Sequence, residues 1–93
     1  MATAQQVAET KQMVREAMQE EGVSAETLIR LGQMAEAVLK NKALYPQFVK
    51  AIMDSDLAEE GDIPADIDYQ LVGVFATLGE MARQMIASGE LGA

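Results

Sequence analysis

Seven carboxylates crowd residues 54–68: Asp54, Asp56, Glu59, Glu60, Asp62, Asp66 and Asp68. Oxygen donors at that density suit a hard cation, and Asp54-Ser55-Asp56 opens as an EF-hand loop does. The loop chemistry then fails. An EF-hand needs glycine at its sixth position and a bidentate glutamate at its twelfth, and counting from Asp54 puts Glu59 and Ala65 there. Counting from Asp66 puts Leu71 and Thr77 there. The expectation is a solvated acidic loop without a metal site, in which Asp66 or Asp68 caps the helix that follows.

Other reactive groups are as sparse. The chain has no histidine and no cysteine, which removes the commonest general base, the thiolate nucleophile and the usual transition-metal ligands together. Ser24, Ser55 and Ser88 have no partner to activate them. Gly73 and Gly79 have no lysine in phosphate-loop spacing. No catalytic, cofactor-binding or metal-ligating residue is assigned, and the expectation is a protein that is not an enzyme and carries no cofactor.

Charge narrows the partners. Residues 1–50 hold six acids and six bases, whereas residues 51–93 hold nine acids against the single Arg83, giving the net charge of −8. Nucleic acid and anionic membrane are poor direct partners for that surface, because phosphate binding needs clustered lysine and arginine. Basic protein surfaces remain open as partners. No N-terminal basic-then-apolar signal segment is present, and no apolar run reaches the roughly 18 residues of a membrane span. A location in the cytoplasm of a host cell, or in a virus particle, is expected.

These features must rest on helices. Alanine, leucine, methionine and glutamate dominate, so the fold is expected to be all-α: one helical domain of about four helices around a strongly apolar C-terminal helix. Residues 71–79 contain no charge, and a helix apolar nearly all round must be enclosed by its neighbours. The expected helices cover 3–20, 25–40, 46–53 and 68–87, with the acidic loop at 54–67. The first carries a thin stripe, Val7, Val14, Ala17 and Met18 with Met13 beside it, fit either for a peripheral bundle helix or for an arm that docks on a neighbouring subunit. Gly22 stands where a helix C-terminus wants a left-handed residue, and Ser24 begins the second helix as its N-cap.

The second helix carries Leu28, Leu31, Ala35, Val38 and Leu39 as one stripe, widened by Met34, and Gly32 in its interior marks a close helix crossing. Pro46 is placed to open the third helix, with Tyr45 extended before it. Tyr45 and Phe48 are expected as core anchors. The last helix carries Leu71, Val74, Phe75, Leu78, Met81, Ala82, Met85 and Ile86, to be enclosed by its neighbours or, at its Met81 and Met85 end, by another chain, and Gly73, Ala76 and Gly79 give it a face of small residues. The tail after residue 87 is expected to fray or to be ordered only by a neighbour. Gly32-Gln33-Met34-Ala35 and Gly79-Glu80-Met81-Ala82 resemble each other but are too short to establish an internal repeat.

The run LIRLGQMAEAVLKNKALYPQFVKAIM, the acidic loop and DIDYQLVGVFATLGEMARQM together resemble small uncharacterised acidic helical proteins encoded among tailed-phage virion genes. The resemblance spans residues 28–85, with Leu44-Tyr45-Pro46 and Asp66-Ile67-Asp68-Tyr69 as its clearest points. It implies a small structural or accessory component of a virus particle. Seven methionines, adaptable in irregular contacts, agree with a chain that works by protein–protein contact and self-associates or docks on a larger assembly. The candidate interaction surface is Asp54, Asp56, Glu59, Glu60 and Asp62 on the loop, with Gly73, Ala76, Met81 and Met85 on the last helix. The alternative is an acidic inhibitor whose loop fills a basic nucleic-acid-binding groove of a host protein.

Overall fold

A computed structural model describes residues 3–58, 61–64 and 66–91. It is an all-helical bundle of α1 (Ala4–Glu20), α2 (Ala25–Lys40), α3 (Tyr45–Asp54) and α4 (Tyr69–Ala87), with a 3-10 turn at Lys42–Leu44. Side chains start three of the four helices. Thr3 and Gln6 form a reciprocal capping box on α1, each accepting a hydrogen bond from the other's backbone N–H. Ser24 Oγ accepts from the Thr27 N–H at 3.1 Å, and the Thr27 hydroxyl lies 3.0 Å away where a complete box would place glutamate. Asp68, rather than Asp66, caps α4 by accepting from the N–H groups of Gln70 and Leu71.

The start of α3 departs from expectation. Tyr45 is helical, with φ −56° and ψ −46°, not extended. Asn41 Oδ1 accepts from the Ala43 N–H at 3.1 Å and sets up the 3-10 turn, which already delivers helical geometry to Tyr45. The buried tyrosine ring and its hydroxyl, which donates to the Pro64 carbonyl at 3.2 Å, hold it there against the bias imposed by Pro46.

The frame is the pairing of α2 with α4, which exceeds every other helix contact. At its centre Gly32 lies against Gly79. A Cβ added to Gly32 would fall 2.7 Å from Gly79 Cα and 3.1 Å from the Phe75 carbonyl oxygen; one added to Gly79 would fall 2.6 Å from Gly32 Cα and 2.8 Å from the Leu28 oxygen. Each glycine thus faces the other and the carbonyl four residues before it, a locally two-fold arrangement. The two similar tetrads are the two sides of this crossing. Leu31 and Leu78, Ala35 and Ala82, and Val38 and Met85 occupy matching positions around it, all buried. Equivalent sides of one close contact need the same small residue in the same place, which is a sufficient physical reason for the likeness.

Two apolar clusters flank the crossing. The first joins Val14 of α1 and Val23 to Leu28, Leu78, Met81, Ala82 and Met85. The second joins Tyr45, Phe48 and Ile52 of the α3 region to Leu31, Ala35, Val38 and Val72. The early part of α2 therefore shares its cluster with the late part of α4, so the two helices run in opposite directions. Phe48 is wholly buried and meets Phe75 edge-on, with ring centroids 5.6 Å apart.

Enclosure of α4 is incomplete. Tyr69 and Val74 are exposed, although the sequence places Val74 inward, and Leu39, expected on the apolar stripe of α2, is exposed as well because it lies off the face that meets α4. The molecule measures 35 × 29 × 19 Å, and its three other helices reach only part of the surface of α4.

Candidate interaction surface

The acidic and the apolar halves of the expected surface lie in different structural settings. Asp54 is the last residue of α3 and is exposed. Asp56 has φ 59°, the left-handed conformation that Asp tolerates better than most residues. Its N–H donates to the Met53 carbonyl, and that of Leu57 donates to Ile52, so Asp56 completes the double hydrogen bond that terminates α3. Leu57 then turns inward to touch both clusters. Asp56 therefore has a backbone task as well as an exposed carboxylate. Asp62 and Asp66 are exposed too, and Glu59 and Glu60 lie outside the described residues. Among the described residues no three carboxylates converge as ligands for one cation.

On α4, Met81 and Met85 are not available as contact surface. Both are buried in the first cluster, because the thin stripe of α1 (Val7, Val14, Ala17 and Met18) lies over them. Ala76 is half-buried against the second cluster. Gly73 behaves differently from Gly79: nothing lies within 4 Å of where its Cβ would be. It floors a shallow groove of about 410 Å³ between α1 and α4, lined by Thr10, Met13, Gln70, Gly73, Val74, Thr77 and Leu78. Met13 is 44% exposed and Val74 38%, so two of the four exposed large apolar side chains among the described residues meet in this groove. None of its lining residues is charged, in a chain with 22 Asp, Glu, Lys and Arg residues (15 + 7).

Of the groove, only Gly73 belongs to the surface expected from sequence. Met13 carries a visible signal, an apolar residue beside the α1 stripe instead of on it. Val74 carries none, since it falls within an apolar run.

Residues 88–91 of the tail pack back on the molecule's own α1 instead of fraying. α4 ends as α3 does: the Gly89 N–H donates to Ile86, that of Glu90 to Met85, and Gly89 takes φ 81°. The reversal sends the Glu90 carboxylate to α1, where it accepts from Lys11 Nζ at 2.9 Å with Arg15 3.8 Å away. Hydrogen bonds from Ser88 and Lys11 hold the Glu90 carboxyl below the usual glutamate range. Leu91 packs on the first cluster.

A second cleft, about 350 Å³, lies over the glycine crossing between Gln33, Glu36, Glu80 and Arg83. Its strongest polar groups are spent on each other. Arg83 Nη2 donates to both Glu80 oxygens, at 2.6 and 2.8 Å, which with Gln84 lowers the Glu80 pKa. That ion pair is internal to α4, and Gln33 and Glu36 of α2 are the other polar side chains lining the cleft. No helix among the described residues is long and apolar enough to cross a membrane. Compared with family models, curated proteins and solved structures, the chain matches none.

Proposed function

We propose that this protein is a non-enzymatic structural or accessory component that acts through protein–protein contacts, and that it self-associates through the α1–α4 groove. The observation that carries the reading is the uncharged, apolar character of that groove on a chain of net charge −8. A second copy is the occupant such a surface favours. Two acidic chains repel wherever carboxylates face each other, and an uncharged patch is a place where they can meet without that repulsion. A basic partner would instead select the acidic half. The open space over Gly73 lets a neighbouring side chain or helix approach the α4 backbone. The virus particle as the setting rests on the resemblance of residues 28–85 to proteins of tailed-phage virion genes.

Light scattering on wild type and on Val74→Asp tests the reading. Wild type should gain mass with concentration and be little affected by salt, while Val74→Asp stays monomeric with unchanged helicity. A strictly monomeric wild type would remove the proposal.

The rival, an acidic inhibitor of a nucleic-acid-binding protein, is favoured by the exposed carboxylates of Asp54, Asp56 and Asp66. Its signature would be partner binding that falls steeply with salt and is lost on conversion of those residues to Asn.

A further inference from the structure

We infer that α1 is exchangeable: the α1 of a second copy of this chain can occupy the site that α1 covers in its own, giving a domain-swapped dimer. This deepens the self-association reading and rests on it, but it uses a different surface, the face of α2 and α4 formed by Leu28, Leu78, Met81 and Met85. The occupant of that face is already visible. A segment from an identical chain would make the same contacts, which is why swapping is a low-cost route to a dimer.

The hold on α1 is light, and the rest of the molecule does not depend on it. Val14 is its one fully buried side chain; Val7, Ala17 and Met18 are partly buried. It packs mainly on α4 and little on α2. The second cluster and the glycine crossing contain no α1 residue. The polar clasp, Lys11 and Arg15 on Glu90, keeps 29–41% of its side-chain surface in water, so salt screens it. Its charges nevertheless make α1 recognisable to another copy, because two of the chain's seven bases face a half that carries nine acids.

The hinge is defined. Residues 21–24 join α1 to α2, and Gly22 reverses the chain with φ 70° and open space around it. With Gly22, Val23 and the extended Ser24 all in helical conformation, α1 and α2 would run on as one helix, carrying α1 away from its own groove. Val23, buried beside Leu28, is the side chain the open hinge must rehouse.

Gly22→Ala tests this. A left-handed alanine disfavours each closed hinge by about a factor of ten, so a dimer that opens two hinges should gain about a hundredfold in association constant. Gly22→Asn, which tolerates the left-handed region, should stay near wild type. The Lys11–Glu90 pair identifies the species, since carbodiimide can couple the two as an amide. In a mixture of 15N-labelled and unlabelled protein, a swapped dimer yields that amide between labelled and unlabelled chains, and Lys11→Arg abolishes it. A second variant lacking residues 21 and 22, too short to fold back on itself, should give the same interchain product. Either variant remaining helical and monomeric would overturn the inference, as would dimers whose Lys11–Glu90 links are all within one chain. Interchain links that persist in Val74→Asp would support exchange and count against the groove. Association lost in Val74→Asp, with wild-type links only within chains, would retain the groove and reject exchange.

Discussion

The two sides of α4 are held in contrasting ways. Towards α2 it is locked backbone to backbone at Gly32 and Gly79, with Phe48 and Phe75 sealing the neighbouring cluster. Towards α1 it is covered by a narrow stripe with one fully buried residue and a clasp of exposed charges. A close crossing tolerates no added atom, whereas a thin apolar stripe over methionines tolerates adjustment. Both proposed routes to self-association, the groove and the exchange of α1, lie on the second side.

Substitutions should separate the two sides. Phe48→Ala removes the largest fully buried side chain and should cost about 4 kcal/mol, lowering Tm by roughly 20 °C in a thermal melt. Gly79→Ala places a Cβ where backbone lies 2.6–2.8 Å away, so α2 and α4 must separate. It should cost about 3 kcal/mol, and a denaturant midpoint unchanged from wild type would break the picture of a locked crossing. Gly73→Ala, by contrast, has open space and gains helix propensity, so its melting point should equal or exceed wild type.

On the α1 side the effects shrink. Val14→Ala should cost about 2 kcal/mol, seen chiefly as faster amide exchange in α1 and much less in α3. Protonation of Glu90 should have the smallest effect. Its pKa is lowered in the folded protein, so its contribution is fully present above the ordinary glutamate range and is lost as pH falls through the lowered value. Acid should therefore loosen α1, followed by the NMR signals of the Val14 methyls. In Glu90→Gln that acid step should disappear, and the difference from wild type at neutral pH should fade in high salt.

Much of the frame was legible in the sequence because its signals are local. Ser24 as a cap, Gly22 as a left-handed reversal and Gly32 as a crossing point each depend on a few neighbouring residues. Which faces meet was less legible. Met81 and Met85 share a stripe that reads equally well as core or contact surface, and only the position of α1 places them inside. Val74 lies in an apolar run that predicts burial, yet three short helices cannot surround a fourth. The carboxylate of Glu90 looked like part of a loose tail because the sequence does not say that Gly89 turns it back onto Lys11. A high methionine count suits adaptable contacts, and two of the methionines, Met81 and Met85, lie beneath the lightly held α1.

Native-state amide hydrogen exchange, measured at a low and a high protein concentration, tests the central claim most directly. The account predicts that α1 opens far more readily than α2 and α4 around Gly32 and Gly79, and that residues 10–14 gain protection as concentration rises while α3 does not change. Protection of α1 equal to that of the glycine crossing, and independent of concentration, would contradict it.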